Sequence, residues 1–148
     1  MALWASWLDK AFVSLHGRKF GMAQLNLNTD GDFVLTGDGL HGILQSVTNG
    51  ITATAGGTQA AAVALMTMIN RVATVATGAD SVALPRAIAG MMVLVINDGA
   101  NSVDVYTVNG GTDVINALSD ATAYALAATK SALFFCPAVG QWCTLLSA

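Results

Sequence analysis

Residues 90–108, GMMVLVINDGANSVDVYTV, place two β-strand patterns in immediate succession. Met91 to Ile96 is apolar at every position, the pattern of a strand at the centre of a sheet, and it is bounded by Gly90 and by the turn-forming NDGAN. Val103 and Val105 then alternate with Asp104 and Tyr106, so the second strand has one apolar and one polar face. Outward to the C-terminus the spacing stays short. NGG leads to TDVINAL (112–118), ATAYALAA (121–128), SALFFC (131–136) and QWCTLL (141–146), the last pair joined across PAVG. Many short strands separated by turns predict a mainly β protein, an antiparallel β-sandwich or jelly-roll-like domain. No repeat with a period of roughly 20 to 50 residues is visible.

Outward to the N-terminus the pattern changes. TQAAAVALMTMINRV (58–72) is a helix candidate, with Thr58 as N-cap and Ala61, Leu65, Met68 and Ile69 on one side. The glycine-dense stretch from Gly37 to Gly57, ending in TNGITATAGG, reads as a flexible connector. Before it, Leu25 and Leu27 alternate with Gln24, Asn26 and Asn28, and NTDGD turns the chain into Phe33, Val34 and Leu35, which predicts a hairpin. The leader MALWASWLDKAFVSLHG (1–17) carries Leu3, Trp4, Trp7, Leu8, Ala11, Phe12 and Leu15 at helical steps, with Gly17 as C-cap. The chain thus divides into an N-terminal helix and hairpin arm over 1–50 and a β-rich domain over 51–148. The leader could pack on its own domain, dock on another protein or bundle with copies of itself, or lie on a membrane surface; its single lysine speaks against the membrane.

Composition limits the function classes. Charged residues are 10% of the 148, against roughly 25% in an ordinary soluble domain, while 54% are hydrophobic. Such a surface is covered either by lipid or by other subunits. The longest apolar runs, Ala60–Ile69 and Ala87–Ile96, are half the roughly 20 residues that a spanning helix needs. The leader lacks the basic start of a secretory signal and has Asp9 in its apolar stretch. Self-association in the cytoplasm is the expectation that remains. Six Lys and Arg against nine Asp give a net charge of −3, which argues against a nucleic-acid partner.

The chemical-looking motifs are weak. GDGLHG (37–42) fits G-x-G-x-x-G, but alanines stand where the ribose-binding acid belongs, near position 62. NLNTDGD (26–32) imitates a calcium loop, yet its twelfth position is Gly37 instead of glutamate. Cys136 and Cys143 lie symmetrically about Val139 and Gly140, so buried thiols or a cross-strand disulfide are both conceivable. With His16 and His41 they make an inventory for zinc at the wrong spacing. No nucleophile elbow or oriented histidine is present, so no catalytic residue, cofactor or metal is assigned.

The order GGTQA…AL…NRVATVATGADSVALPRAIAG…VLVINDGAN…VDVY…DVIN…FFC…AVGQW, over about residues 50 to 143, resembles small tailed-phage virion structural proteins such as head-fibre and capsid decoration proteins. The resemblance implies a non-enzymatic particle component: a β-rich domain forming a homo-oligomer, trimeric by expectation, and an N-terminal part that attaches it to the major capsid protein or another virion protein. Assembly would occur in the host cytoplasm, with neither membrane nor nucleic acid as partner. On this view Trp4, Trp7, Leu8 and Phe12 are the docking anchors. A tail-fibre or baseplate component binding a receptor or glycan, with exposed Trp142, Tyr106 or asparagines around a shallow groove, is the alternative.

Overall fold

The computed structural model describes residues 45–148 in full and, before them, the backbone of 24–27 and 33–36. The expected hairpin is present: β1 (Gln24–Leu27) runs antiparallel to β2 (Phe33–Thr36), with Leu27 opposite Phe33. The expected helix over 1–17 lies outside the described residues. Chain contacts separate Met1–Leu44 from Gln45–Ala148.

Gln45–Ala148 is mainly β, with no helix among the described residues. Its strands are β3 (Val47–Thr52), β4 (Val63–Ala64), β5 (Ile69–Thr74), β6 (Ser81–Ala83), β7 (Met92–Asn97), β8 (Val103–Tyr106), β9 (Val114–Ile115), β10 (Tyr124–Leu126), β11 (Ser131–Ala138) and β12 (Gln141–Leu146). They form a six-stranded sheet, β3-β5-β7-β11-β12-β9, and a four-stranded sheet, β10-β8-β6-β4. From β3 to β8 the chain visits the two sheets in turn, and each strand pairs in parallel with the strand one coil earlier. Val47 lies beside Ile69 and Ile69 beside Leu94, so a coil takes a little over twenty residues. This is a β-solenoid, and it corrects the antiparallel sandwich or jelly roll expected from strand spacing.

The physical reason lies in the turns. NDGAN does not fold β8 back onto β7; it carries the chain across to the other sheet. Asn97 makes that corner. Its Nδ2 donates to the carbonyls of Asn101 (2.9 Å), Leu126 (3.0 Å) and Ala127 (3.1 Å), and its Oδ1 accepts from Gly99 N (3.0 Å). Gly99 must be glycine for packing, because a Cβ there would stand 2.6 Å from the Val75 side chain. At the next corner back, Asp80, 1% exposed, accepts from Ala76 N (2.6 Å), Thr77 N (3.1 Å) and Thr77 Oγ1 (2.6 Å). After β8 the chain reverses: β10 is antiparallel to β8, β11 to β7 and β12 to β11. The reversal ends the coiling.

The helix expected over 58–72 is also corrected. Only one turn forms, with Ala61 N and Ala62 N donating to Thr58 O, and the chain then becomes β4 and β5. A helix would leave Leu65 and Val72, both fully buried between the sheets, on a partly exposed cylinder, so tertiary burial overrides alanine's helix propensity. Val47–Thr52, expected within a flexible connector, is strand β3. The core between the sheets is filled by inward valines of β5, β7 and β8, by Leu84 and Leu126, and by the two large aromatics Phe134 and Trp142.

Candidate functional site

Alternation sorts the six-stranded sheet into two faces. Val93 and Val95 of β7, Phe134 of β11 and Trp142 of β12 point inward and are buried. The opposite face presents Val47, Ile69, Leu94, Leu133 and Leu145, which are successive register partners across β3, β5, β7, β11 and β12. Five aliphatic side chains therefore stand in one row perpendicular to the strands. One step along the strands, Met92, Phe135 and Cys143 form a second row. Val47 is 51% exposed, Met92 48% and Leu145 60%; the remaining members are half-buried. The charge on this face is Arg71, placed beside Ile96 at its margin and ion-paired with Asp98. Among the described residues nothing covers this face, which is apolar in its two central rows and polar at Ser131 and Gln141 on its borders.

Its corner by β4 continues into a groove of about 270 Å³, where Met66, Met68, Met91 and Met92 line the walls with Leu65 and Pro85. Methionine side chains are flexible and polarizable, which suits them to apolar partners of irregular shape.

The buried side chains of Asn70, Asp80, Asn97 and Asp113 hold backbone at corners, whereas the buried Ser81 hydroxyl has no hydrogen-bond partner. Asp113, on the approach to β9, accepts from Ala87 N at 2.8 Å and is 5% exposed. The Thr77 hydroxyl, seconded by backbone amides and opposed by burial, holds the Asp80 carboxyl below the ordinary 3.8. Partial burial pushes Asp104 upward. A carboxyl with a depressed folded-state pKa contributes stability above its unfolded value and loses it as pH falls through the folded one. Stability at the Asp80 corner should therefore decline as pH drops below about 3.8, while protonation of Asp104 acts in the opposite sense. Acid titration of the thermal midpoint should show a weaker decline in Asp80→Asn than in the wild type, from a lower starting point at neutral pH.

The two cysteines are free thiols on opposite faces. At the hairpin end Ala138 pairs with Gln141, as symmetry about Val139 and Gly140 requires, but the register slips between Phe135 and Ala138. The slip sets Phe135 opposite Cys143 and turns Cys136 inward, where its thiol donates to Ala138 O at 3.0 Å. A cross-strand disulfide is thereby ruled out in this fold. In dilute protein Cys143 should take up a maleimide well before Cys136, which is 3% exposed; equal rates under native conditions, followed by mass spectrometry, would contradict the placement.

Trp142, expected to be exposed in the glycan-binding alternative, is fully buried, and Tyr106 is half-buried with its hydroxyl 3.5 Å from Gly57 O. The side chain missed by sequence reading is Leu94: apolarity on both faces of β7 marked a central strand, and its outward half was the signal of an uncovered face. Trp4, Trp7, Leu8 and Phe12, together with His16, His41 and GDGLHG, lie outside the described residues. Among the described residues no three His, Cys, Asp or Glu side chains gather as a metal site, and no helix is long and apolar enough to cross a membrane. No family model, curated protein or solved structure matches the chain.

Proposed function

We propose that the chain is a structural component of a tailed-phage particle, a capsid-attached decoration or head-fibre protein that self-associates, as a trimer by expectation. Its N-terminal arm would dock on the major capsid protein or another virion protein through Trp4, Trp7, Leu8 and Phe12. The observation that carries this reading is the open aliphatic row from Val47 to Leu145 on a chain with only 10% charged residues. A patch of that kind on a folded unit marks a surface made to be covered. The solenoid adds a second support, since stacked coils give a stiff body with a cooperative core and make a suitable particle appendage. The corner side chains Asn97 and Asp80 are committed to hold backbone, which suits a protein selected for shape.

The test is to image tailed-phage particles carrying a C-terminally tagged chain, beside a chain lacking residues 1–17. The full chain should decorate the particle, and the shortened one should remain a soluble oligomer that no longer binds. Full occupancy by the shortened chain would overturn the docking role, and a tag found only off the particle would overturn the structural one.

A further inference from the structure

We infer that the outer face of the six-stranded sheet is the surface by which copies of this chain cover one another, each turning its Val47–Ile69–Leu94–Leu133–Leu145 row inward on a shared symmetry axis. The inference rests on the self-association in the proposed function and assigns it to one surface.

The occupant follows from charge, from the strand edges and from area. The molecule carries a net charge of −3, so copies repel wherever their carboxylates meet. On this face the marginal Arg71 is already neutralised by Asp98, and neither of the two rows bears a charge. A second copy can approach here without bringing like charges together, whereas a charged partner would gain nothing over water. Edge-to-edge addition is blocked at both ends of the same sheet. In β3 two residues, Asn49 and Gly50, oppose the single Arg71, and Gly50 takes φ +74, so the edge is bulged and twisted. The other edge, β9, is two residues long. Copies are left with the face.

Five strands about 4.8 Å apart and six residues long at about 3.3 Å each offer about 480 Å² per copy, or about 960 Å² for two. That is just under the roughly 1,000 Å² of a specific interface, the size of a weak, reversible contact. The row is also uniform: all five side chains are aliphatic, three leucines with an isoleucine and a valine, so the same row of a second copy can lie against it. Sheets packed in this way lie about 10 Å apart.

Cys143 stands on the same face, beside Phe135, and gives a readout in the unaltered protein. In the full chain its maleimide labelling should slow with protein concentration, by about tenfold when the free concentration is ten times the dissociation constant. Light scattering should show a multimer of 15.1 kDa subunits for the wild type and a monomer for Leu94→Lys/Leu133→Lys with an unchanged β circular-dichroism spectrum. Val139→Asp, at the exposed hairpin tip off this face, should remain multimeric. A folded lysine variant that stays multimeric overturns the face and leaves self-association standing; a monomeric wild type overturns both. If the lysine variant fails to fold, labelling decides alone: a concentration-independent rate overturns the inference. Protection of Cys143 that is independent of concentration and abolished by deleting residues 1–17 would assign the face to the chain's own leader, and overturn it too.

Discussion

Trp142→Ala should be the most damaging single substitution in the solenoid, lowering its unfolding free energy by about 4 kcal/mol. Trp142 is fully buried on β12 and lies between the sheets with Phe134. Truncation would remove the largest side chain in a thin core, and the coils, held by their own ladders, can collapse only partly into the void. A urea titration followed by circular dichroism should show the midpoint falling with little change in slope. Trp142→Phe should cost far less. It keeps an aromatic ring and deletes an indole Nε1 that is buried without a hydrogen-bond partner, a group whose burial is itself unfavourable. A Trp142→Phe variant as weak as Trp142→Ala would show that the indole nitrogen, and not ring volume, matters at this site.

Asn97→Ala should cost about 3 kcal/mol, the largest effect of any polar side chain. One amide satisfies three carbonyls and one backbone N–H, and it ties the corner after β7 to the end of β10. Alanine would remove the side-chain partner of Gly99 N and of the Asn101 carbonyl, and would leave the Leu126 and Ala127 carbonyls only their longer bonds from Ser102 Oγ and Lys130 N, both 3.3 Å. Asn97→Asp should be worse than alanine at neutral pH, because a carboxylate would face the carbonyl oxygens of Asn101, Leu126 and Ala127. Part of the loss should return in acid as the carboxyl protonates and donates to one of them. Thermal melts of the three proteins at two pH values separate these terms; an Asn97→Asp variant as stable as the wild type would show that the corner tolerates rearrangement.

The strands after Gly90 were legible in the residues, whereas β3, β4 and β5 lay in stretches that read as a connector and a helix. β7 and β8 follow from Met91–Ile96 and from Val103 and Val105, and the terminal hairpin from apolar runs either side of PAVG. Alternation is a local property, set by the pleat. Partner choice was not legible. In an antiparallel meander the partner is the next strand, and a turn announces it; in a solenoid it is one coil away, and these coils share inward β-branched residues but no recurring motif. NDGAN has the composition of a hairpin turn and makes a corner because Asn97 binds carbonyls from the far strand end, a contact invisible within five residues. The same limit hid the candidate surface. Each member of the row from Val47 to Leu145 is unremarkable alone, and only inter-coil register aligns them. The displaced cysteine is a finer case, since one irregularity near Pro137 moved it to the other face.

The coil-by-coil connection of β3 through β8 also makes length a separable trait. Duplicating the segment from β5 to the start of β7 would insert one further storey, about 4.8 Å tall, between a bulged first strand and a terminal reversal that both stay as they are. A lineage could thus tune the reach of such a protein by copying a stretch of gene, with no need to redesign either extremity.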